Sequence, residues 1–279
     1  MPRGNAPIHP TAVVSAEAKL ADGVRVGAYA VIDGPVTLGR GCSVAAHAHL
    51  IGPLTLGENN TICTGAVLGG DPQHLAYKGQ PTAIEVGSGN TFREHATVHR
   101  AMPLGDGPGT GLTRIGDGNL FMVGAHVAHD CRVGNHGVYV NGCLLGGHVE
   151  TGDRVILSGN SAVHQFCRLG RLAMLSGTSS STKDVPPFWV QRNINIVCGV
   201  NVFGMRRAGM PTAEIMGVRE AFKMIYLGGV TVTAAVAKME AELAHLPAVA
   251  ELIAFIKSSK RGICGASRYE GDVSERDAA

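Results

Sequence analysis

Aliphatic residues recur at every sixth position along most of the chain. From Ile8 the steps fall on Val14, Leu20, Val26, Ile32, Leu38, Val44, Leu50, Leu56, Ile62 and Leu68, each of them Ile, Val or Leu. Four residues after each comes a second, mostly small position, as in Ala12, Ala18, Val24, Ala30, Val36, Cys42 and Ala48. The register resumes at Val86, Phe92 and Val98. It resumes again from Ile115 through Phe121, Val127, Val133, Tyr139, Leu145, Thr151, Leu157, Val163, Leu169, Leu175 and Ser181. An amphipathic helix repeats near 3.6 residues and a strand at 2, so neither sustains a period of six. One large and one small residue per hexad suit a coil of three flat faces, in which the large residue fills the interior and the small one turns the corner. Such a coil buries its apolar row only by stacking on its neighbours. The pattern predicts an all-β solenoid, a parallel β-helix over residues 1–190.

Two interruptions, near 70–84 and 100–114, break the register. When hexads are grouped in threes so that coils end on the hexads starting at 68, 98, 127, 145 and 163, both interruptions leave after a third hexad. They then emerge at one corner. Long insertions in a compact repeat are usually lids or binding loops. Beyond Pro186-Pro187 the period is lost. Residues 188–210 read as a linker, and 191–265 as linker plus a small helical domain. In that domain Ile215, Val218, Phe222, Ile225 and Tyr226 follow Pro211 at helical spacing. Two more helices are expected near 231–244 and 247–259, and the polar tail 266–279 reads as disordered.

Composition fits this picture. With 39 Gly and 5% aromatic residues against 45% hydrophobic, the core must be built from small aliphatic groups. Tight corners then account for the glycine. A net charge of +2 gives no electrostatic case for nucleic acid or membrane binding. No apolar run reaches the length of about 18 residues needed for a membrane span, and the N-terminus lacks a signal-peptide pattern, so a soluble cytoplasmic protein is expected. Seven Cys, an odd number without a C-x-x-C pair, read as reduced thiols acting as small apolar residues. No cofactor is expected.

His99, His126, His129, His148 and His164 all fall near the corner where the two loops emerge. Coils stack about 4.8 Å apart, so these imidazoles are expected in one column. Two chemistries suit them: a general base with anion contacts, or a metal site. Carbonic-anhydrase relatives on the same repeat carry a His-x4-His pair, whereas His126 and His129 are separated by two residues, so no metal is expected.

The segment Ala125-His126-Val127-Ala128-His129-Asp130-Cys131 resembles the signature of the UDP-N-acetylglucosamine O-acyltransferase family. So do Gly146-Gly147-His148-Val149, Ala162-Val163-His164-Gln165-Phe166-Cys167, Asp184-Val185-Pro186-Pro187, Gly199-Val200-Asn201 and Arg261-Gly262-Ile263. The resemblance spans about residues 8–263. It implies a left-handed helix, a homotrimer with its active site between subunits, and the opening step of lipid A synthesis. In that step a fatty acyl group passes from acyl carrier protein to the 3-hydroxyl of a UDP-amino sugar. By the same resemblance His129 is the general base, Asp130 orients it, and the Gly147 N–H donates to the oxyanion. His126, His148 and His164 match positions that contact the nucleotide sugar or assist catalysis, Gln73, Asn201 and Arg207 match nucleotide-sugar contacts, Gln165 lines the acyl site, and Gly177 lets a long acyl chain pass. Basic residues between Arg206 and Arg261 offer a docking surface for the acidic carrier protein.

Some positions depart from the family. Its first loop usually reads Gln-Asp-Leu-Lys-Tyr, against Gln73-His74-Leu75-Ala76-Tyr77 here, with Lys78 displaced. Phe203 stands where an acidic residue is expected, and Ala208 replaces the second of two arginines. These changes leave the acyltransferase class intact and open the acceptor to a 3-amino analogue, which would give an amide in place of an ester.

Overall fold

A computed structural model describes residues 8–105 and 107–266. Among these, short strands form three sheets of nine, eight and eleven strands, parallel except at one late hairpin. The first sheet runs from Val13–Val14 to Ser180–Ser181, the second from Lys19–Leu20 to Arg168–Leu169, and the third from Arg25–Val26 to Gly265–Ala266. The chain visits the three in rotation, so strands that neighbour each other in a sheet are one coil apart. The result is a left-handed parallel β-helix followed by helices.

The hexad row forms the core. Val26, Ile32, Leu38, Val44, Leu50, Leu56, Ile62 and Leu68 are all buried, and a fully buried Leu or Ile is worth about 1.5–3 kcal/mol. Where the row turns aromatic, Phe92, Phe121 and Tyr139 stack on successive coils with ring centroids 4.9 and 4.6 Å apart. Thr151 is a polar member of the row and is satisfied by the Tyr139 hydroxyl at 2.9 Å. The small positions Asn60, Asn90 and Asn119 form a buried amide ladder, with Nδ2 of Asn90 and of Asn119 each donating to the Oδ1 before it at 3.0 Å. All seven Cys are free thiols.

Both loops leave the first sheet. One separates Val67–Gly70 from Ala83–Val86, the other Thr97–His99 from Leu112–Ile115. They emerge one coil apart at one corner, as the register requires.

The segment expected as a linker is ordered. Trp189–Arg192 continues the third sheet in parallel, and Ile196–Val200 folds back on it antiparallel. Helix α1 (Val202–Arg207) follows directly. The hexad period is lost there because the hairpin closes the solenoid end: Phe188 and Trp189 are fully buried, and Trp189 packs on Phe222 and Tyr226. Helices α2 (Thr212–Tyr226), α3 (Val232–Glu242) and α4 (Pro247–Lys257) complete the domain. No described helix is long and apolar enough to cross a membrane. Of the expected tail, Ala266 pairs with Val197, and 267–279 lie outside the described residues.

Candidate active site

The corner after the first sheet carries Asp130, His148 and Phe166 on successive coils. All three have left-handed backbone, with φ of 60°, 60° and 63°. Such a φ is uncommon for residues other than Gly and costs of order 1 kcal/mol or more, so the corner spends stability to aim three large side chains. The preceding position on each coil holds His129, Gly147 and Gln165.

His129 is buried against this corner. Its Nδ1 lies 2.7 Å from Asp130 Oδ2. The Asp130 side chain is fully buried and accepts from the Met102 N–H at 2.9 Å, the Thr110 N–H at 2.6 Å and the Thr110 hydroxyl at 2.8 Å. Burial alone pushes a carboxyl up, but the hydrogen bonds from His129, Met102 and Thr110 outweigh it and hold Asp130 at about 2. An ionised carboxylate can only accept, so Nδ1 of His129 carries the proton and Nε2 keeps a free lone pair. The same carboxylate thus fixes the imidazole tautomer and pins the second loop.

Gly147 is required by packing. A Cβ there would lie 2.6 Å from Cε1 and 2.7 Å from Nε2 of His129, and the ring, held by Asp130, cannot yield cheaply. Among the described residues the Gly147 N–H has no hydrogen-bond partner. A free donor therefore lies beside the basic nitrogen.

Around this pair stand three more imidazoles. His148 meets His129 edge to face at 5.3 Å, and its Nε2 is 3.7 Å from Asp130 Oδ2. His126 lies on the first sheet, its Nδ1 2.7 Å from the Thr97 hydroxyl and its ring 5.0 Å from that of His99. Burial, with neighbouring imidazoles, lowers His126 to about 4 and also lowers His99. His148 is lowered chiefly by burial. These three rings are neutral at neutral pH, which leaves His126 and His148 able to offer hydrogen bonds but not a positive charge.

The imidazoles expected in one column occupy four neighbouring register positions: His126 one, His99 and His164 a second, His129 a third with Gly147 one coil on, and His148 a fourth with Phe166 one coil on. His164 and Gln165 are exposed. Nδ1 of His164 lies 3.1 Å from the Gln165 carbonyl, and no described contact joins it to the cluster. Gln73 is exposed in the first loop. Gly177 sits at the other edge of the first sheet, over the Gly159 carbonyl, so a single chain does not bring it to His129. Asn201 spends its amide internally: Oδ1 accepts from the Gly204 N–H to cap α1, and Nδ2 donates to the Leu172 carbonyl. Arg207 is exposed at the end of α1. The displaced Lys78 turns its Nζ to the Leu75 carbonyl at 3.2 Å, and Arg206, next to Arg207, is exposed.

Two aromatic neighbours were missed by sequence reasoning. The ring of His74, from the first loop, stands edge-on to His129 at 5.6 Å. Phe166 stacks on His148 at 4.4 Å. The signals were present, since both loops leave beside His129 and Phe166 lies one coil after His148. Arg100 ties the loops together by pairing with Asp71 and donating to the Gly52 carbonyl at 2.7 Å.

Donor atoms of His129, Asp130 and His148 lie within 4.8 Å of one another, close enough to consider a cation. In the hydrogen-bonded arrangement, however, the nitrogen facing Asp130 bears a proton, and the carboxylate is already filled by loop donors. The arrangement offers a basic nitrogen beside a free backbone donor.

Comparison with known proteins identifies this chain's relatives. A family model described as UDP N-acetylglucosamine O-acyltransferase, domain 2, matches residues 184–264. A protein of Anaeromyxobacter dehalogenans named acyl-(acyl-carrier-protein)–UDP-N-acetylglucosamine O-acyltransferase is 46% identical over 257 residues, covering 92% of this chain and 98% of its own length. A Stenotrophomonas maltophilia protein of the same name is 43% identical, covering 92% and 97%. Among solved structures, the UDP-N-acetylglucosamine acyltransferase of Francisella novicida superposes with a TM-score of 0.89 at 32% identity, covering 98% of each chain. LpxA from Acinetobacter baumannii superposes at 0.86 with 37% identity, covering 92% and 99%.

Proposed function

This chain belongs to the UDP-N-acetylglucosamine O-acyltransferase family, and on that premise we propose that it passes a fatty acyl group from acyl carrier protein to the 3-hydroxyl of UDP-N-acetylglucosamine, opening lipid A synthesis, with His129 as general base. Nε2 of His129 takes the hydroxyl proton as the oxygen attacks the thioester carbonyl. The tetrahedral oxyanion receives the Gly147 N–H. Its collapse breaks the C–S bond, and the departing carrier thiolate takes the proton back from the imidazolium. Asp130, ionised throughout, stabilises that imidazolium. The observation that carries this reading is the 2.7 Å contact from His129 Nδ1 to a buried carboxylate, with Nε2 set beside a free backbone donor.

The active species is a homotrimer. Outward residues on the later strands of the third sheet are Leu120, Val138, Ile156 and Met174, after polar Arg25, Ser43, Thr61 and Thr91 on its earlier ones, and on the first sheet they include Val67, Leu144 and Ala162. The second sheet instead presents Glu85, Arg114, Arg132, Glu150 and Arg168. The apolar stretches of these two faces suit burial against copies, and the charged face suits water. Gly177 lies where the two apolar faces meet, so it reaches a His129 only from a neighbouring copy, where it would admit a long acyl chain. His164 and Gln165 would face the same interface. Acyl carrier protein docks on the basic helical domain, where Arg206, Arg207, Arg219 and Lys260 are exposed, and Arg207 serves the nucleotide. Free thiols at all seven Cys suit the reducing cytoplasm.

Assay with a hydroxyacyl carrier protein and UDP-N-acetylglucosamine tests the reading. We expect an ester labile to mild base, and His129→Ala to lower kcat by about 10²-fold or more with the trimer preserved. Near-wild-type turnover in that variant would refute the role given to His129.

A further inference from the structure

His74 has no part in the reaction as described, yet its ring is 5.6 Å from that of the proposed base. We propose that His74 is a specificity-determining residue that selects oxygen over nitrogen as the nucleophile on the acceptor sugar. This rests on the acyltransferase reading and deepens it.

The hydrogen bonds of the loop set the chemistry. The Ala76 N–H donates to His74 Nδ1 at 3.2 Å. In the neutral ring the proton therefore sits on Nε2, which makes His74 a donor on its free side. His129 is the opposite, because its Nδ1–H is spent on Asp130 and its Nε2 accepts. The other candidates in the loop are turned elsewhere: Lys78 Nζ bonds the Leu75 carbonyl, and the Leu75 side chain is 97% exposed. From this loop the acceptor group thus meets one donor, His74, facing the accepting nitrogen of His129.

A hydroxyl satisfies both and still reacts. It gives its proton to His129, receives the His74 N–H on one lone pair, and attacks with the other. A neutral amine has a single lone pair, and accepting from His74 removes the pair that must attack. An ammonium has none and meets the donor with an N–H of its own. A carboxylate at this position, as the family usually carries, would accept an N–H and tolerate the amine. A group that hydrogen-bonds the wrong partner is the kind of element that separates similar substrates.

The experiment compares kcat/KM for UDP-N-acetylglucosamine with that for its 3-amino analogue, using one hydroxyacyl carrier protein. Products are assigned as ester or amide by lability to mild base. Wild type should favour the hydroxyl acceptor. His74→Asp should lower the oxygen-to-nitrogen ratio by about tenfold or more, while His74→Asn, which keeps an N–H donor, should hold it within about threefold. Partial misfolding scales both substrates alike and leaves the ratio alone. An unchanged ratio in His74→Asp, or an equal fall in both variants, would overturn the inference while ester formation by wild type upheld the acyltransferase reading. No product from wild type with either sugar would overturn both.

Discussion

At the scale of single residues, Asp130 does the most. Its two oxygens accept from His129 and from three groups of the second loop, so it fixes a tautomer and a loop together. Asparagine there keeps the shape but has one acceptor oxygen and no charge. Asp130→Asn is expected to lower kcat by about 10²-fold or more, since the wrong tautomer then competes at His129. Hydrogen exchange at the Met102 and Thr110 amides should quicken as well. A kcat within threefold of wild type would show that Asp130 does not orient the base. Adjacency in sequence suggested this pairing, but the loop donors were out of its reach. They lie 28 and 20 positions away, and nothing in the repeat marks Thr110 as their source.

At the scale of elements, consecutive strands of the first sheet present Thr97 and His126 side by side, with His99 and His148 close by. Burial keeps His99, His126 and His148 less basic than free imidazole, His126 down to about 4. The unfolded chain binds protons near pH 6.5, and the folded chain resists until lower pH. The stability these groups support is therefore complete above about pH 6.5 and is lost as pH falls through about 4. Melting temperature should decline over that interval, and His126→Asn, which can still bond Thr97, should flatten the decline. An identical slope in the variant would place the proton uptake elsewhere. The strands were legible because one inward aliphatic residue per hexad is a strict local requirement. The hairpin at 189–200 was not, since its order comes from Trp189 packing on α2 and from Gly265–Ala266 pairing at its edge.

At the scale of the molecule, the three faces differ in what they can meet. The ladder Glu85, Arg114, Arg132, Glu150 and Arg168 is at home in water, with Arg114 Nε 3.2 Å from Glu85. The outward Leu120, Val138 and Ile156 are not. Burying a charge without a partner is costly, so Val138→Glu should dissociate the proposed trimer. Light scattering should report monomer mass, and activity should fall with it if each site needs two copies. A variant that stays trimeric would move the interface to another face. At the helical end, Arg168 and Arg171 bind the solenoid to α4 through Phe255 and Glu251, which keeps the helical domain in fixed register with the coils.

The chain's own order of residues determined the coil, its three-hexad register and the shared exit of both loops, because a solenoid core is made of local, periodic burial that each hexad must satisfy for itself. The same register brought His126, His129 and His148 to one corner. Folding in space alone decided which neighbours those rings would have: Thr110 on the carboxylate, Phe166 on His148 and His74 over His129. Such contacts join side chains from different coils and from loops outside the repeat, and their geometry depends on where a non-periodic segment comes to rest.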